Sequence, residues 1–283
     1  MVVEELARRF PQLCVRPAQD AEEAYVRAVT KGIVPDPCDL SHFGGSDADW
    51  LRTEHTPAGE VEVLFLARRE DFETFLRCTT RRCRPEAIPT TIGAMTLDGL
   101  VDWECVRAYR ALCALRWDEG GKEEFAAFVA DRSQYRVTLV LLSEGPYSAL
   151  GAEHTPYDEQ TWLRVSREIR LYHELAHVTC RRLMPNDKPP VWDELTADAH
   201  GLLRATGAYD LSLALRFLGI QDGRYAGGRL QEYLCEEQRE HMDAIVAQVL
   251  DACAHIDRFL AGARQEDSYD LLLALKRDSA LTY

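Results

Sequence analysis

Residues 173–177 read HELAH, with two histidines four positions apart and a glutamate next to the first of them. Residues four apart lie on one face of an α-helix, so His173 and His177 would direct their imidazoles to one point. Further along, Glu194 and Asp198 have the same spacing and can present two carboxylates from a second helix. Hydrolytic zinc sites use three protein ligands of these types and leave a fourth position to water. The spacing therefore predicts a Zn²⁺ site with His173, His177 and Glu194 as ligands.

The segment that carries the HELAH run is apolar on nearly every side of a helix. Its apolar residues fall into two sets on different sides of the helix. The first set is Trp162, Val165, Ile169, Tyr172, Ala176 and Leu183, and the second is Leu171, Leu175 and Val178. This pattern predicts a buried helix. A polar side chain without a partner inside a protein costs about 1–3 kcal/mol, so the two histidines need a partner there. A metal ion supplies one to both imidazoles.

Two more carboxylates are expected to support this chemistry. Glu174 lies about 100° around the helix from His173, so it does not share the ligand geometry. It can instead take a proton from a water that the metal activates and pass it to a leaving amine. Asp198, one turn after Glu194, can accept the Nδ1 proton of a ligating histidine and so orient its ring. The pattern suits attack of water on an amide or ester carbonyl.

The second helix contains other polar residues and one glycine that bear on the site. Asp193 and His200 stay open as alternatives to Glu194 for the third ligand. Gly201 follows Glu194 by seven residues and lies on the same face. Its missing side chain would let the two helices approach closely.

This combination resembles the gluzincin metallopeptidases, which carry HExxH on one helix and a downstream glutamate in an ExxxD or ExxAD pattern. The matching positions are His173, Glu174, His177, Glu194, Ala197 and Asp198. The resemblance implies a zincin-like fold, Zn²⁺ as the cofactor and a peptide or protein substrate. It also implies that His173, His177 and Glu194 are the ligands and that Glu174 is the general base. By the same resemblance, Asp198 is the carboxylate that hydrogen-bonds a ligating histidine. Sixteen residues separate His177 from Glu194, fewer than in thermolysin-like members, so no particular family is assigned.

The same resemblance implies a tyrosine or histidine that hydrogen-bonds the oxyanion formed when water adds to a carbonyl. Tyr225 lies in a glycine-rich segment at 222–228 that could place it over the site, and His241 follows on the next helix. We expect the catalytic donor to be Tyr225 or His241. Tyr209 and Tyr233 are weaker candidates.

Helical periodicity dominates the chain, while short apolar segments at 60–66 and 136–142 are typical of strands. Residues 88–96 are open between an irregular strand and a loop. If the second predicted strand lies at a sheet edge, an extended peptide could pair with it, whereas a central strand would belong to the core. Tyr147 either caps the rim of a cleft or closes a turn, and we favour the turn.

The predicted fold is α+β and predominantly helical, with a small sheet. We expect one zincin-like unit over residues 1–283, made of an α/β lobe at 1–183 that ends in the HELAH helix. A helical lobe at 184–283 would carry the third zinc ligand. The proline-rich segment at 184–190 is the expected joint between these lobes.

The 283-residue chain has a formal net charge of -14, which argues against nucleic acid or an anionic membrane as a partner. No charged leader precedes an apolar stretch, and no run approaches the roughly 18 apolar residues of a membrane span. These features predict a soluble, cytoplasmic protein. The nine cysteines form no CxxC pair, so we expect reduced thiols that mostly fill the core instead of a disulfide framework.

The preferred function is that of a zinc-dependent hydrolase, specifically a metallopeptidase with Glu174 as its general base. One alternative is a zinc amidase acting on a non-peptide substrate. Another is a regulatory or interaction module that keeps the zinc site and the zincin fold without turnover. The sequence disfavours the module, because a structural zinc needs only its ligands whereas Glu174 is needed by the chemistry.

Overall fold

The computed structural model describes residues 1–116, 121–184 and 188–278, and it is α+β and mostly helical, as predicted. The chain forms two compact units. The first consists of Met1–Thr53, Glu62–Ile88 and Thr96–Ser143. The second consists of Glu54–Val61, Pro89–Met95 and the described part of Glu144–Tyr283. This division differs from the predicted boundary after residue 183, because the HELAH helix lies in the second unit together with the helices that follow it.

Five helices belong to the first unit: α1 (Val2–Arg9), α2 (Glu22–Lys31), α3 (Arg69–Thr80), α4 (Trp103–Arg116) and α5 (Lys122–Ala130). Most residues of a four-stranded sheet lie there too, in strands β1 (Trp50–Thr56), β2 (Gly59–Leu66), β3 (Ala94–Val101) and β4 (Arg136–Ser143). The strand order is β1-β2-β4-β3. β2 and β4 are parallel, with Val63 opposite Val140.

Strands β2 and β4 confirm the two predicted strands. They lie in the middle of the sheet and bury most of their side chains, which explains their continuous apolar sequence. The sequence did not predict β1, and it left the start of β3 open. Both are outer strands whose residues are mostly half-exposed or exposed, so they lack an apolar run.

The possibility that residues 137–142 form an edge strand is wrong. β4 lies between β2 and β3, and strands on both sides form hydrogen bonds with it. Leu139, Val140, Leu141 and Leu142 are fully buried. The strand therefore belongs to the core and does not present a free edge to an extended peptide.

The expectation that all cysteines are reduced thiols is also wrong. Cys14 and Cys38 form a disulfide, and their Cα atoms lie 5.0 Å apart, a separation that suits such a bond. Helix α2 lies between them in the sequence, so their proximity arises only when the chain folds back. Disulfides are unusual in cytoplasmic proteins, and the cytoplasmic location stays a prediction. The other seven cysteines are free, and most of them are buried.

The second unit contains the helices α6 (Glu159–Leu183), α7 (Pro190–Thr206), α8 (Leu211–Phe217), α9 (Glu236–Glu240), α10 (Met242–Phe259) and α11 (Ser268–Arg277). A two-stranded hairpin of β5 (Ile220–Gln221) and β6 (Arg224–Tyr225) follows α8. None of the helices in the described ranges is long and apolar enough to span a membrane.

Local signals in the sequence explain where α6 and α7 begin and end. The Asp158 side chain accepts a hydrogen bond from the Thr161 backbone N–H and so caps the start of α6. Pro190 opens α7, where its missing N–H costs nothing, and Gly207 ends that helix in a left-handed conformation. Residues 185–187 of the predicted joint lie outside the described part of the chain.

Helix α6 packs along α7. Twelve residues of α6 are buried, including Trp162, Ile169 and Leu175, which confirms the predicted buried helix. A Cβ atom at Gly201 of α7 would lie 2.8 Å from the carbonyl oxygen of Ile169. The predicted role of this glycine in close helix approach is therefore confirmed.

Candidate metal centre

His173 and His177 on α6 meet Glu194 on α7. The Nε2 atoms of the two histidines lie 3.1 Å apart. The Glu194 carboxylate places one oxygen 3.4 Å from Nε2 of His173 and the other 3.3 Å from Nε2 of His177. Candidate ligand atoms of all three residues fall within 4.8 Å of one another. Two imidazoles and one carboxylate that converge in this way could hold a metal ion, and no other His, Cys, Asp or Glu side chains of the described residues form such a group.

The electrostatics of the cluster reflect its burial and its paired charges. Burial opposes protonation of His173, but the hydrogen bonds and charges of Asp198 and Glu194 raise its pKa to about 10. Burial also opposes ionisation of Glu194, but hydrogen bonds with the two histidines lower its pKa well below the ordinary value. Glu194 therefore keeps a negative charge that a bound cation would neutralise.

Asp198 lies directly behind His173, at the place that the sequence predicted for it. Its Oδ1 accepts a hydrogen bond from Nδ1 of His173 at 2.8 Å. Only 1% of the Asp198 surface is exposed. Since Nδ1 donates to this carboxylate, Nε2 is the ring nitrogen that faces Glu194, and a metal ion would bind there by displacing the Nε2 proton.

Tyr147 also contacts Asp198 and His173, which the sequence did not predict. The residue begins a 3₁₀ turn, as favoured, but its side chain is buried. Its hydroxyl donates to Oδ1 of Asp198 at 2.5 Å and lies 3.0 Å from Nδ1 of His173. Burial raises the pKa of Tyr147 well above its ordinary value, so the hydroxyl keeps its proton.

Arg229 completes this group and was not predicted at all. It is only 8% exposed, and its Nη2 donates to Oδ2 of Asp198 at 2.5 Å. Its Nη1 donates to the hydroxyl of Tyr147 at 3.2 Å. Burial opposes ionisation of Asp198, but the charge of Arg229 and the contact with His173 lower its pKa. The nearest signal in the sequence is the Gly-Gly pair just before Arg229, which indicates only a turn.

Tyr225 does not have the surroundings that the sequence suggested. The Tyr225 hydroxyl donates to the Gly228 carbonyl at 2.7 Å and accepts from the Gly228 N–H at 2.9 Å. Tyr225 therefore braces its own loop. Tyr233 is half-buried at the end of the 3₁₀ turn Arg229–Tyr233. Burial raises the pKa of Tyr233, and the nearby charge of Glu194 adds to this shift. One of the two weaker candidates therefore lies near a predicted ligand.

A family model described as "Family of unknown function (DUF7005)" matches residues 2–280. The chain belongs to this family. No curated protein and no solved structure matches it. The family description names no activity.

The alternative third ligands of the DUF7005 chain have other partners. Asp193 forms an ion pair with Lys276, which is buried. Nδ1 of His200 lies 3.2 Å from the carbonyl oxygen of Ser268, and burial lowers the pKa of His200 to about 3. Glu194 is therefore the carboxylate that faces the two histidines.

Glu174 and His241 were both predicted to take part in catalysis. Glu174 is half-buried on α6, in the position after His173. His241 is exposed at the residue that precedes α10. Its expected role as a catalytic donor gains no support from the contacts that are described. Tyr209 packs against the buried hydrophobic cluster that contains Cys253.

Proposed function

We propose that this chain is a zinc-dependent hydrolase with a zincin-like helix pair, and that it cleaves peptide bonds. The observation that carries the proposal is the convergence of His173, His177 and Glu194 within 4.8 Å. The glutamate of the HExxH pattern, Glu174, follows the first ligand directly. The resemblance of these positions to gluzincin metallopeptidases supports a peptide substrate.

Each residue has a separate task in this reaction. His173, His177 and Glu194 would hold a zinc ion, which would supply the Lewis acid that polarises the substrate carbonyl and makes the attacking water more acidic. Glu174 accepts the proton of the attacking water and delivers it to the leaving amine. Asp198 holds the His173 ring with Nδ1 protonated, so that Nε2 faces the site.

Tyr233 is our candidate for the group that donates a hydrogen bond to the substrate oxyanion. It is half-buried at the end of the turn that Arg229 begins, and Glu194 lies near enough for its charge to act on the Tyr233 hydroxyl. Burial raises the pKa of Tyr233 well above its ordinary value, and the charge of Arg229 only partly opposes this shift. The hydroxyl therefore keeps its proton and can donate it in a hydrogen bond.

The proposal is tested by metal analysis and by peptide cleavage together. Protein purified without a chelator is expected to contain about one zinc per chain. Incubation with a mixed peptide library, followed by mass spectrometry, should reveal new termini that disappear after treatment with a chelator. Zinc-loaded protein that cleaves no peptide would contradict the peptidase assignment, and protein without affinity for zinc would contradict the whole proposal.

Tyr233→Phe is expected to lower kcat by about 10²–10³-fold, because one oxyanion donor is removed. Zinc content should not change, since the tyrosine is not one of the three ligands. Tyr157→Phe is the matched control, because it removes a hydroxyl in the same unit from a ring that stacks on Trp162. Equal kcat values for the Tyr233 and Tyr157 variants would rule out the oxyanion role.

A further inference from the structure

We propose that Arg229 is a positioning residue for the metal centre, and that it acts on His173 through Asp198. The inference rests on the metal site of the proposed function but not on peptide cleavage. Arg229 contacts none of the three ligands in the hydrogen bonds described. Its role would be to fix the orientation of a ligand that it does not touch.

The first step of the argument concerns the two oxygens of Asp198. Oδ1 is shared by Nδ1 of His173 and the Tyr147 hydroxyl, at 2.8 and 2.5 Å. Oδ2 is held by Nη2 of Arg229 at 2.5 Å. A carboxylate held through one oxygen alone can still turn about its Cβ–Cγ bond. Because Arg229 holds the other oxygen, the plane of the carboxylate is fixed, and so is the direction of its bond to His173.

The second step concerns the guanidinium group. Its Nη1 donates to the Tyr147 hydroxyl at 3.2 Å, while its Cζ lies 4.9 Å from the centre of the Tyr147 ring. The planar guanidinium can reach Asp198 and Tyr147 at once, whereas the single ammonium group of a lysine is not preorganised for two such acceptors. Arg229 therefore fixes both groups that contact Nδ1 of His173.

The charge of Arg229 is also needed at this depth. Asp198 is 1% exposed, and a buried carboxylate without compensation is strongly destabilised. Tyr147 supplies only a neutral donor, so Arg229 provides a permanent positive charge. The ion pair between Arg229 and Asp198 is therefore part of the support behind His173.

Neighbouring residues hold the backbone that carries Arg229 in place, independently of the Arg229 side chain. Gly228 has a φ of 156°, and a Cβ there would lie 2.7 Å from the Cα of Gly219. Tyr225 adds two hydrogen bonds to the same glycine. The 3₁₀ turn that follows carries Arg229 at its start and Tyr233 at its end. One braced turn thus supports His173 through Asp198 and carries Tyr233 as well.

The test is the zinc affinity of purified full-length variants, measured by competition with a chromophoric chelator. Arg229→Gln is expected to weaken zinc binding about 10–100-fold, the usual effect of losing a group behind a metal ligand. Arg224→Gln is the matched control, since Arg224 is exposed in the hairpin just before the same turn. A zinc affinity of Arg229→Gln equal to that of the control would overturn the proposal.

A second variant covers the case in which Arg229→Gln does not fold. Arg229→Lys keeps the charge and most of the buried stem, yet it should bind zinc several-fold more weakly than the wild type, because one ammonium group replaces the fork. Wild-type affinity in this variant would also overturn the proposal. Arg229→Gln is expected to lower the thermal midpoint in excess chelator, because Asp198 loses its buried countercharge. Arg229→Lys keeps that charge, so its midpoint in excess chelator should stay close to that of the wild type while its zinc affinity falls, whereas a purely structural role would lower the midpoint and leave the zinc affinity unchanged.

The mechanism through Asp198 can be separated from a general effect of charge. In an Asp198→Asn background, Arg229→Lys should change zinc affinity by less than twofold, because the two residues act as one unit. A full additional loss in the double variant would show that Arg229 acts by another route. If the wild type itself binds no zinc, the proposed function fails; if it binds zinc and the Arg229 variants bind equally well, only this inference fails.

Discussion

Glu174→Gln is expected to lower the rate of peptide hydrolysis by about 10²–10⁴-fold, because an amide cannot accept the proton of the attacking water. The substitution preserves the shape of the side chain, and Glu174 is not one of the three converging ligands. Zinc content should therefore stay at the wild-type level. The measurements are the initial rate on a peptide substrate and the zinc content of the same sample.

Glu168→Gln is the matched control for this experiment, since it makes the same change at another half-buried position of α6. Its rate should equal that of the wild type. A Glu174→Gln protein that retains wild-type activity would rule out the general-base role. Loss of zinc from this variant would instead indicate that Glu174 takes part in metal binding.

His177→Ala is expected to remove most of the bound zinc, because only two of the three ligands remain. Zinc binding to the native state also stabilises the fold, by about 2.7 kcal/mol when free zinc exceeds its Kd a hundredfold. Added zinc should therefore raise the thermal midpoint of the wild type but not that of the variant. Elemental analysis and thermal unfolding with and without zinc give the two measurements.

His154→Ala serves as the control here, because His154 is an exposed histidine in the same unit. It should keep both the zinc content and the zinc-dependent shift. If His177→Ala retained a full equivalent of zinc, the ligand assignment would be wrong. A zinc-dependent shift of equal size in both variants would point to a different binding site.

The spacing within each helix made much of the site predictable. His173 and His177 share a face of α6, and Glu194 and Asp198 share a face of α7, as a period of 3.6 residues requires. The apolar surroundings of the first helix also predicted its burial correctly. Such local patterns depend only on residues within one or two turns, so a single sequence is enough to reveal them.

The contacts that the sequence could not predict join distant parts of the chain. Tyr147 meets His173 across 26 positions, and Arg229 meets Tyr147 across 82. No pattern in the residues around Tyr147 or Arg229 indicates these partners. The Cys14–Cys38 disulfide was missed for the same reason, since its two ends meet only after the chain reverses around α2.

The close approach at Gly201 has a consequence for the choice of metal ion. Because a Cβ of residue 201 would lie only 2.8 Å from the Ile169 carbonyl oxygen, the backbone of α7 at Gly201 packs directly against the backbone of α6. The histidines stand on one helix and Glu194 on the other, so the same contact limits how far apart the ligands can move. Zinc–ligand bonds are about 2.0–2.2 Å long, whereas calcium requires about 2.3–2.6 Å and more oxygens. We therefore expect the site to favour zinc over calcium, because the spacing of the two helix backbones does not change when side chains rotate.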